Sequence, residues 1–492
     1  GGGPSTKQRA RLMLTAPPPA THRSLAARRV AVVVLLLALV VLIAFTDTAP
    51  ARKHDDHPDD ILDPPAEPVL SAPWQSPNSL LLMKHSAAVR HRGSLTNTAN
   101  WRAQSRQLLE SEYPAFWKAL VRYKTLHRDM LSGAQPARFV LFRSSYHGLG
   151  NKLTGLLSAF LLAVLADRAL VVDWVRGERA AGMVEESDHA LSLEDLFENP
   201  GFDWLRRDAI PSNAAVLSVN VLNYFSVGNY SLLACTDLAA ANHPPVLEFE
   251  GNQWYGPLFT HNPHFVPRLA ALFGAAPIYR ALVHALLTPA PEVMTQVANF
   301  AKASLAGAHH WVVGAHIRTL NKYGMREELV QQVVPCIRAS VPPMFQSMEK
   351  HSPSWKLLLA TDSPALKTAL KAELGDHLIF YDGPFSKTTE EGIRTALVDL
   401  LLITLADDLF VTAHSTFGYT AAALAHFAPF PVSLTNKHGL CVRKVTAEPC
   451  MHKWGQFVED MVGGKAGLAC RLTKDDLDAP RDINHQRECS EL

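Results

Sequence analysis

The residues best suited to chemistry form a hydroxyl- and glycine-rich turn between an apolar run and an apolar helix pattern. The run covers Leu409 to Thr412, the turn covers Ser415 to Tyr419, and the helix pattern continues to Phe427. Where a strand leads into a helix in this way, free backbone N–H groups and the positive end of the helix dipole point at whatever binds there. We therefore predict an anion site lined by Ser415, Thr416, Phe417, Gly418 and Tyr419.

A single arginine is the predicted partner of this turn. Arg318 follows the apolar run Trp311 to Ile317, two residues beyond His316. A planar guanidinium can bind two phosphate oxygens at once, and each charge-assisted bond contributes about 1.5–3 kcal/mol. Together the arginine and the turn predict a nucleotide-diphosphate site. The alternative is a surface arginine paired with Glu327 or Glu328.

Two further segments could contribute to the same site. His147 to Asn151 is a glycine-rich turn ahead of an apolar helix pattern, where missing Cβ atoms would let a ligand approach the backbone. The turn lacks the third glycine of a dinucleotide fingerprint and the Gly-Lys-Ser/Thr of a P-loop. Asp362 follows another apolar run, and it suits either a ribose or base contact or the N-cap of a helix from Pro364.

Strands and helices alternate strictly through the second half of the chain, and one β-α-β unit precedes them. Such alternation demands a parallel sheet covered on both faces, with ligands at the carboxyl ends of its strands. The fold class is therefore α/β. The predicted strands are 138–142, 169–173, 216–221, 311–317, 355–360, 377–381, 409–412 and 431–434, and the predicted helices are 108–131, 277–287, 291–305, 327–339, 364–374, 391–406 and 417–427, with another helix after Asn151.

Composition and missing motifs exclude several functional classes. The chain has 492 residues, 48% hydrophobic and 19% charged, with a net charge of +1, which does not suit a nucleic-acid binder. It has no closely spaced His/Cys zinc cluster and no Gly-x-Ser-x-Gly elbow, and Asp476-x-Asp478 follows no strand, so we expect no metal site. Asp399 interrupts an apolar helix pattern, and we place it on the solvated side of that helix.

An uninterrupted apolar run near the start of the chain predicts a membrane anchor. Every residue from Val30 to Phe45 is apolar, which gives about 24 Å of helix, enough for a thin secretory-pathway bilayer. Basic residues precede the run and no acidic residue does, so the positive-inside rule places the N-terminus in the cytosol and the bulk in a lumen. This is type II topology, and a cleaved signal peptide is the alternative.

The rest of the chain fits a lumenal protein on a tether. Prolines, aspartates and histidines after the run predict an extended stem. All six cysteines follow the run, in a compartment that allows disulfides, and their pairing stays open. Asn229 is the predicted N-glycosylation acceptor. The predicted parts are a cytosolic tail (1–29), an anchor (30–46), a stem (47–105), a first Rossmann-like domain on the acceptor side (106–306) and a second, donor-binding one (307–492).

Several segments, in a fixed order, resemble the plant cell-wall fucosyltransferases typified by xyloglucan α-1,2-fucosyltransferase (glycosyltransferase family 37). The resemblance implies a GT-B-like fold of two Rossmann-like domains facing a cleft, GDP-fucose as donor, inversion at the anomeric carbon, and neither a metal nor another cofactor. The similar segments are His147 to Lys152, Leu170 to Asp173, Leu193 to Phe197, Gly256 to Phe259, Ala315 to Arg318, Ala396 to Tyr419, and Cys441 with Glu448 to His452.

The same resemblance assigns roles to individual residues. Arg318 should hold the β-phosphate of the donor, the Ser415 to Tyr419 turn should line the nucleotide pocket, and Gly150 with Asn151 should close over the phosphates. The donor-binding set is then His316, Arg318, Asp362, Ser415, Thr416, Phe417, Gly418, Tyr419, Gly148, Gly150 and Asn151. No general base follows from the match, and the candidates at strand ends facing the cleft are His147, Asp173 and His316.

The expected function is that of a Golgi type II transferase moving L-fucose from GDP-fucose to a hydroxyl of a cell-wall or cell-surface glycan, in α-1,2 linkage by resemblance. The expected partners are GDP-fucose, a glycan acceptor and the Golgi membrane, with a homodimer as one option and no nucleic acid. Where the plant family usually has Gln, this chain has His316, which is closer to the His-x-Arg of the wider α-1,2/α-1,6 and protein O-fucosyltransferases. A protein acceptor is therefore one alternative. The other is a catalytically silent lumenal glycan-binding protein of the same fold.

Overall fold

The computed structural model describes residues 97–145, 147–174, 178–180, 183–185, 191–222, 227–305, 310–319, 326–348, 354–384, 386, 389–425, 432–434, 441–443, 447–451, 457 and 459. All of them belong to one of the two compact units into which the chain divides, Leu70–Leu492. The predicted tail, anchor and stem up to residue 96 lie outside these residues, as do Asp476 and Asp478. Within the described ranges no single helix is long and apolar enough to cross a membrane, although the bent pair Val266–Phe273 with Ile278–Leu286 meets that requirement by length and composition.

The first half of the described chain builds a four-stranded parallel sheet with helices around it. Its elements are α1 Thr98–Glu112, α2 Pro114–Leu131, β1 Phe139–Arg143, α3 Leu149–Leu165, β2 Ala169–Asp173, β3 Glu178–Ala180, β4 Met183–Glu185, α4 Leu193–Leu196, β5 Val216–Asn220, α5 Val227–Cys235, β6 Val246–Glu250, α6 Gly256–His261, α7 Val266–Phe273, α8 Ile278–Leu286 and α9 Pro291–Ser304. The strand order is β2-β1-β6-β5, and β3 pairs only with β4 in a short antiparallel ribbon.

The second half builds a six-stranded sheet in which all strands but the last run parallel. Its elements are β7 Trp311–Ile317, α10 Arg326–Ser340, α11 Pro343–Met348, β8 Trp355–Thr361, α12 Pro364–Leu374, β9 Leu378–Ile379, α13 Glu390–Ile403, β10 Asp408–Thr412, α14 Thr416–Leu424, β11 Val432–Leu434 and β12 Cys441–Arg443. The strand order is β12-β11-β10-β7-β8-β9, with β12 antiparallel to β11. The predicted α/β class is confirmed, and the GT-B assignment stays a prediction.

Helix α3 is the element that brings the two halves together. Every residue from Leu153 to Leu165 is buried, as expected of a helix that is apolar on all sides. The helix packs against β1 on one side and against α8 and α14 on others. A Cβ on Gly155 would lie 2.1 Å from the carbonyl oxygen of Gly251, so only glycine allows α3 to approach the turn after β6 this closely. The polar first turn of α3 is therefore held in place by its apolar body.

The predicted helix 108–131 is wrong, because it is two helices. Pro114 lacks an N–H and disfavours helical geometry at the residue before it, so Tyr113 has φ −132° and ψ 51° and α2 begins anew. The predicted stem also ends too late. Asn97 caps α1 through a bond from the Asn100 N–H. Within α1, Trp101 is only 1% exposed, so residues 98–105 belong to the folded part.

Most other predicted elements agree with the structure to within a few residues, and the clearest omission is β6. In the sequence Val246 to Glu250 only Glu248 and Glu250 are not apolar, and these two are the partly buried residues of the strand, but our predicted elements include no strand here. Strand β9 is shorter than predicted because a 3-10 turn, Gly375–His377, occupies the expected start of the strand. For the site, missing β6 matters more than predicting β9 too long, because β6 ends at the edge where ligands of parallel sheets bind.

Glu448 of the Glu-Pro-Cys segment caps a helix distant in sequence. Pro277 precedes α8 and offers no capping side chain, whereas the Tyr279 N–H donates to Oε1 of Glu448 at 2.6 Å. Glu448 is only 6% exposed. A buried carboxylate at a helix N-terminus is stabilised by the helix dipole, and its removal leaves a buried donor unsatisfied.

We expect Glu448→Ala to lower the free energy of unfolding by about 1.5–3 kcal/mol, because a charge-assisted bond is lost. Denaturant unfolding followed by circular dichroism measures this difference. The control is Glu292→Ala, in the exposed first turn of α9, which should change the stability by less than about 0.5 kcal/mol. Equal effects of the two substitutions would contradict the capping role.

Candidate active site

Two helices touch each other at their first turns. Each of them follows the carboxyl end of a strand, and the two strands belong to different sheets. Helix α3 follows β1, helix α14 follows β10, and Oγ1 of Thr416 donates to Oδ1 of Asn151 at 2.6 Å. A Cβ on Gly150 would lie 2.6 Å from the backbone N of Phe417, so glycine is required for this approach. Two positive helix ends therefore meet at one place.

Both helix starts are shaped for binding an anion. Oγ of Ser415 accepts from the Gly418 N–H at 3.3 Å and caps α14, and His414 before it has φ 60°, in the left-handed region. Gly148 precedes α3 without a capping side chain, and a Cβ on Gly148 would meet no atom within 4 Å. Space is therefore open in front of the first turn of α3, where backbone N–H groups can bind a ligand.

His316 lies buried beneath the α14 turn. Its Nδ1 is 3.2 Å from Oγ of Ser415, and its ring stacks on Phe417 with centroids 4.6 Å apart. Desolvation, followed by the positive charge of Arg318, lowers the pKa of His316 to about 4 against an opposing effect of Asp362. The imidazole is therefore neutral at neutral pH. It positions the turn and is poorly placed, at 8% exposure, to reach a ligand as a general base.

Arg318 lies beside this turn, as predicted. Its N–H donates to Oγ1 of Thr412 at 2.9 Å, and that hydroxyl donates to the His316 carbonyl oxygen at 3.2 Å, which ties β7 to β10. The partly exposed guanidinium has no hydrogen-bond or ion-pair partner among the described residues, which exclude the side chains of Glu327 and Glu328. The guanidinium is close enough to His316 to lower the pKa of that ring. A guanidinium that no described carboxylate pairs with is suited to an anionic ligand.

Asp362 has a role that neither sequence interpretation anticipated. The N-cap of α12 is Ser363, whose hydroxyl accepts from the Leu366 N–H, so the capping interpretation of Asp362 is wrong. One carboxylate oxygen of Asp362 accepts from both the N–H and the hydroxyl of Thr319, at 2.9 and 3.1 Å. Asp362, at the end of the neighbouring strand, therefore fixes the residue after Arg318.

The predicted turn does not present all of its residues to a ligand. Tyr419 is 1% exposed and packs in the core, and Gly418 is buried, with a Cβ there falling 2.8 Å from Cβ of Val411. Direct ligand contact by the Tyr419 side chain is therefore a wrong prediction. A helix turn can present only part of its circumference, and here Phe417 is the partly exposed side chain. Within the described ranges no group of three or more His, Cys, Asp or Glu side chains is arranged for a metal ion.

No protein-family model matches the chain. It is 23% identical over 377 residues to galactoside 2-alpha-L-fucosyltransferase of Arabidopsis thaliana, covering 67% of this chain and 66% of that protein. It is 24% identical over 365 residues to fucosyltransferase 2 of the same plant, covering 65% and 67% respectively. This chain is therefore similar in sequence to the plant fucosyltransferases. The resemblance inferred from the motifs is thereby confirmed, and these relatives are named fucosyltransferases, which are glycosyltransferases.

A solved structure has the same type of fold as this protein. Arabidopsis thaliana FUT1, as a variant in complex with GDP, superposes with a TM-score of 0.50 at 21% sequence identity, covering 68% of this chain and 84% of the other. At this identity the likeness supports the α/β architecture and assigns no residue roles. The roles that follow rest on the geometry of this protein itself.

The strands of the first sheet of this protein end in polar residues, most of which were not predicted from the sequence. The strand-end residues Arg143, Asp173, Asn220 and Glu250 come from four neighbouring strands and lie in register. Only Asp173 was named as a candidate, because β6 was not recognised and β5 was not connected to a site. An acidic residue directly before the Gly251 turn was the available signal. This edge adjoins α3 and lies on the side where the acceptor is expected.

His147 connects this edge to the start of α3. Its Nε2 lies 2.9 Å from Nδ2 of Asn252, and its Nδ1 lies 3.0 Å from Oγ of Ser145. Burial, then the charge of Lys152, lowers the pKa of His147. Because both ring nitrogens face protein groups, His147 is suited to shaping the loop. As a general base it would have to break one of these contacts.

Asp399 is partly buried, so its predicted place on the solvated side of the helix is wrong. Desolvation raises the pKa of Asp399 to about 7, against the charge of Lys367. Asp399 in turn raises the pKa of Tyr381, after the larger effect of burial. The helix carrying Asp399 packs against α9 as well as the sheet, so its periodicity alone did not show which faces are covered.

The predicted glycosylation acceptor is engaged inside the fold. Nδ2 of Asn229 donates to the Asn220 carbonyl oxygen at 2.6 Å, and the side chain is partly buried. An N-linked glycan replaces only one of the two hydrogens on this nitrogen, so glycosylation of Asn229 stays a prediction. Cys235, Cys336 and Cys450 are disulfide-bonded, which agrees with the expectation of pairing.

Proposed function

We propose that this protein transfers L-fucose from GDP-fucose to a glycan hydroxyl with inversion of the anomeric configuration. The observation that carries the proposal is the meeting of two helix starts, one of which follows the strand next to Arg318, whose guanidinium pairs with none of the described residues. The family relationship supplies the sugar, because the relatives are named fucosyltransferases. FUT1 was solved with GDP, which supports a guanosine diphosphate leaving group. The name of the galactoside 2-alpha-L-fucosyltransferases supports α-1,2 linkage for the acceptor.

The geometry suits the charge that develops in such a reaction. Breaking the bond between fucose and phosphate builds positive charge on the sugar and negative charge on the diphosphate. Donors that are already in place stabilise the negative charge without reorganisation, and one such donor typically contributes a factor of about 10²–10³ in rate. Arg318, held by Thr412 and by the Asp362 contact to Thr319, is one donor. The N–H groups that open α3 and α14 are the others.

The test is transfer by the lumenal part of the protein, residues 70–492. Incubation with radiolabelled GDP-fucose, GDP-mannose and UDP-galactose, with a panel of glycans, should give fucose transfer and GDP release only with the first. Turnover of another nucleotide sugar in its place would overturn the proposal. Transfer to folded peptides and not to glycans would establish the protein O-fucosyltransferase alternative. Binding of a glycan without calorimetric affinity for GDP would establish the silent binding protein.

We further propose that the protein is a type II membrane protein of the Golgi. The proposal rests on the apolar run Val30 to Phe45 and the basic residues before it. Tagging the full-length chain at each end and digesting intact microsomes with protease should leave the C-terminal tag protected and remove the N-terminal tag. Secretion of a shortened chain into the medium would contradict the anchor in favour of a cleaved signal peptide.

A further inference from the structure

Glu250, at the end of β6, is a carboxylate with one oxygen held and one free. Nδ2 of Asn220 donates to its Oε2 at 2.7 Å, from the residue paired with it in register. Oε1 has no hydrogen-bond partner among the described residues. The side chain is partly buried. An oriented carboxylate with one free oxygen at the carboxyl end of a parallel strand is suited to accept a proton.

A short chain of contacts links Glu250 to the phosphate site. Two residues later, Nδ2 of Asn252 lies 2.9 Å from the ring of His147. His147 directly precedes Gly148 and the first turn of α3, whose Gly150 touches the backbone of Phe417. Glu250 therefore lies on the edge of the first sheet that adjoins the proposed diphosphate site. It belongs to the half opposite Arg318, as a group acting on the acceptor must.

The surroundings of Glu250 keep its carboxylate basic. Burial raises its pKa, Glu248 on the same strand raises it further, and Arg143 on β1 lowers it. Asn220 on β5 is neutral, and Arg143 also pairs with Glu248, with Nε and Oε2 2.9 Å apart. Asp173 lies beyond Arg143 on the outer strand. A carboxylate with a raised pKa removes a proton more readily than an ordinary one.

Resting on the proposed function, we propose that Glu250 is the general base of the transfer, positioned by Asn220. Oε1 takes the proton of the acceptor hydroxyl as that oxygen forms a bond to the anomeric carbon of fucose. The bond from that carbon to the phosphate oxygen breaks, and its electron pair leaves with GDP. The diphosphate is stabilised by Arg318 and the two helix starts. Proton and leaving group thus depart on opposite sides of the sugar, as inversion requires.

The first test is Glu250→Gln, which keeps the shape and the Asn220 side of the contact but cannot accept the proton. We expect kcat to fall by about 10²–10⁴-fold, with the calorimetric affinity for GDP and the melting temperature within error of wild type. The variant Glu250→Ala should recover activity with added formate, which can take the place of the missing carboxylate. A kcat within threefold of wild type, or loss of GDP affinity together with activity, would overturn the assignment.

The second test follows the pH profile of kcat/KM in two neighbouring variants. Glu248→Gln removes a negative charge that raises the pKa of Glu250, so the acid limb should move to lower pH. Arg143→Met removes a positive charge that lowers it, so the limb should move to higher pH. If the acid limb moved in the same direction in both variants, or in neither, the assignment of Glu250 as the general base would be contradicted. If wild type transfers no fucose, the proposed function fails, whereas an active wild type with unmoved limbs refutes Glu250 alone.

Discussion

Replacing Arg318 by alanine should lower kcat/KM for fucose transfer by about 10²–10³-fold, because it removes one fixed positive donor from the leaving diphosphate. The backbone N–H that bonds Thr412 remains in the variant, and so does the Asp362 contact to Thr319. The fold should therefore persist. Initial rates with saturating acceptor and varied GDP-fucose, together with the melting temperature, measure the effect.

Two controls make this result specific to the guanidinium. Arg318→Lys keeps the charge but loses bidentate geometry, so it should recover only part of the lost activity. Arg338→Ala removes an arginine that is 57% exposed and pairs with Glu373 on the surface, and it should leave turnover unchanged. Near-normal turnover of Arg318→Ala, or equal losses in Arg318→Ala and Arg338→Ala, would count against a role in holding phosphate.

Gly150→Ala should separate the two helix starts and abolish most of the activity. The new Cβ would lie 2.6 Å from the backbone N of Phe417 and 2.9 Å from Oγ1 of Thr416. Backbone atoms cannot rotate away as a side chain can, so α3 and α14 must move apart and the Thr416–Asn151 bond lengthens or breaks. Overpacking of this kind costs about 1–3 kcal/mol. Thermal unfolding and transfer rates measure the two losses.

Gly148 provides the matched control for stability. Its φ is −59°, and a Cβ there would meet no atom within 4 Å, so Gly148→Ala should leave the melting temperature unchanged. Activity is not the readout for this control, because Gly148 faces the proposed phosphate position. If Gly150→Ala melts at the same temperature as Gly148→Ala and keeps wild-type activity, the helix starts do not depend on their contact.

Local patterns were sufficient to predict five of the six strands of the second sheet, all but β12. Strand β7, helix α12 and strand β2 have the predicted bounds, because apolar runs flanked by prolines, glycines and capping residues act over a few residues. The Ser415 turn and Arg318 also follow such apolar runs directly. The rule that parallel strands present ligand sites at their carboxyl ends then placed both at one edge.

The roles of several polar residues could not be predicted because their partners are far away in sequence. Asp362 bonds to Thr319 on the loop after the neighbouring strand, so its N-cap position in sequence misled us. Tyr419 faces the core because α14 packs against α3, which periodicity in a nine-residue helix does not show. Glu250 was missed because two of the five residues of its strand are acidic.

Secondary-structure type, the proposed anion-binding turn and the resemblance to the plant fucosyltransferases follow from the order of residues alone, since each depends on residues within a few positions of one another. Which groups meet is decided by packing of the two halves. Thr416 and Asn151 are 265 positions apart and bond only because Gly150 allows their helices to touch. The pKa of about 4 at His316 arises from burial under that contact and from the nearby Arg318. Burial and long-range contact are properties of the packed chain, and no short segment contains them.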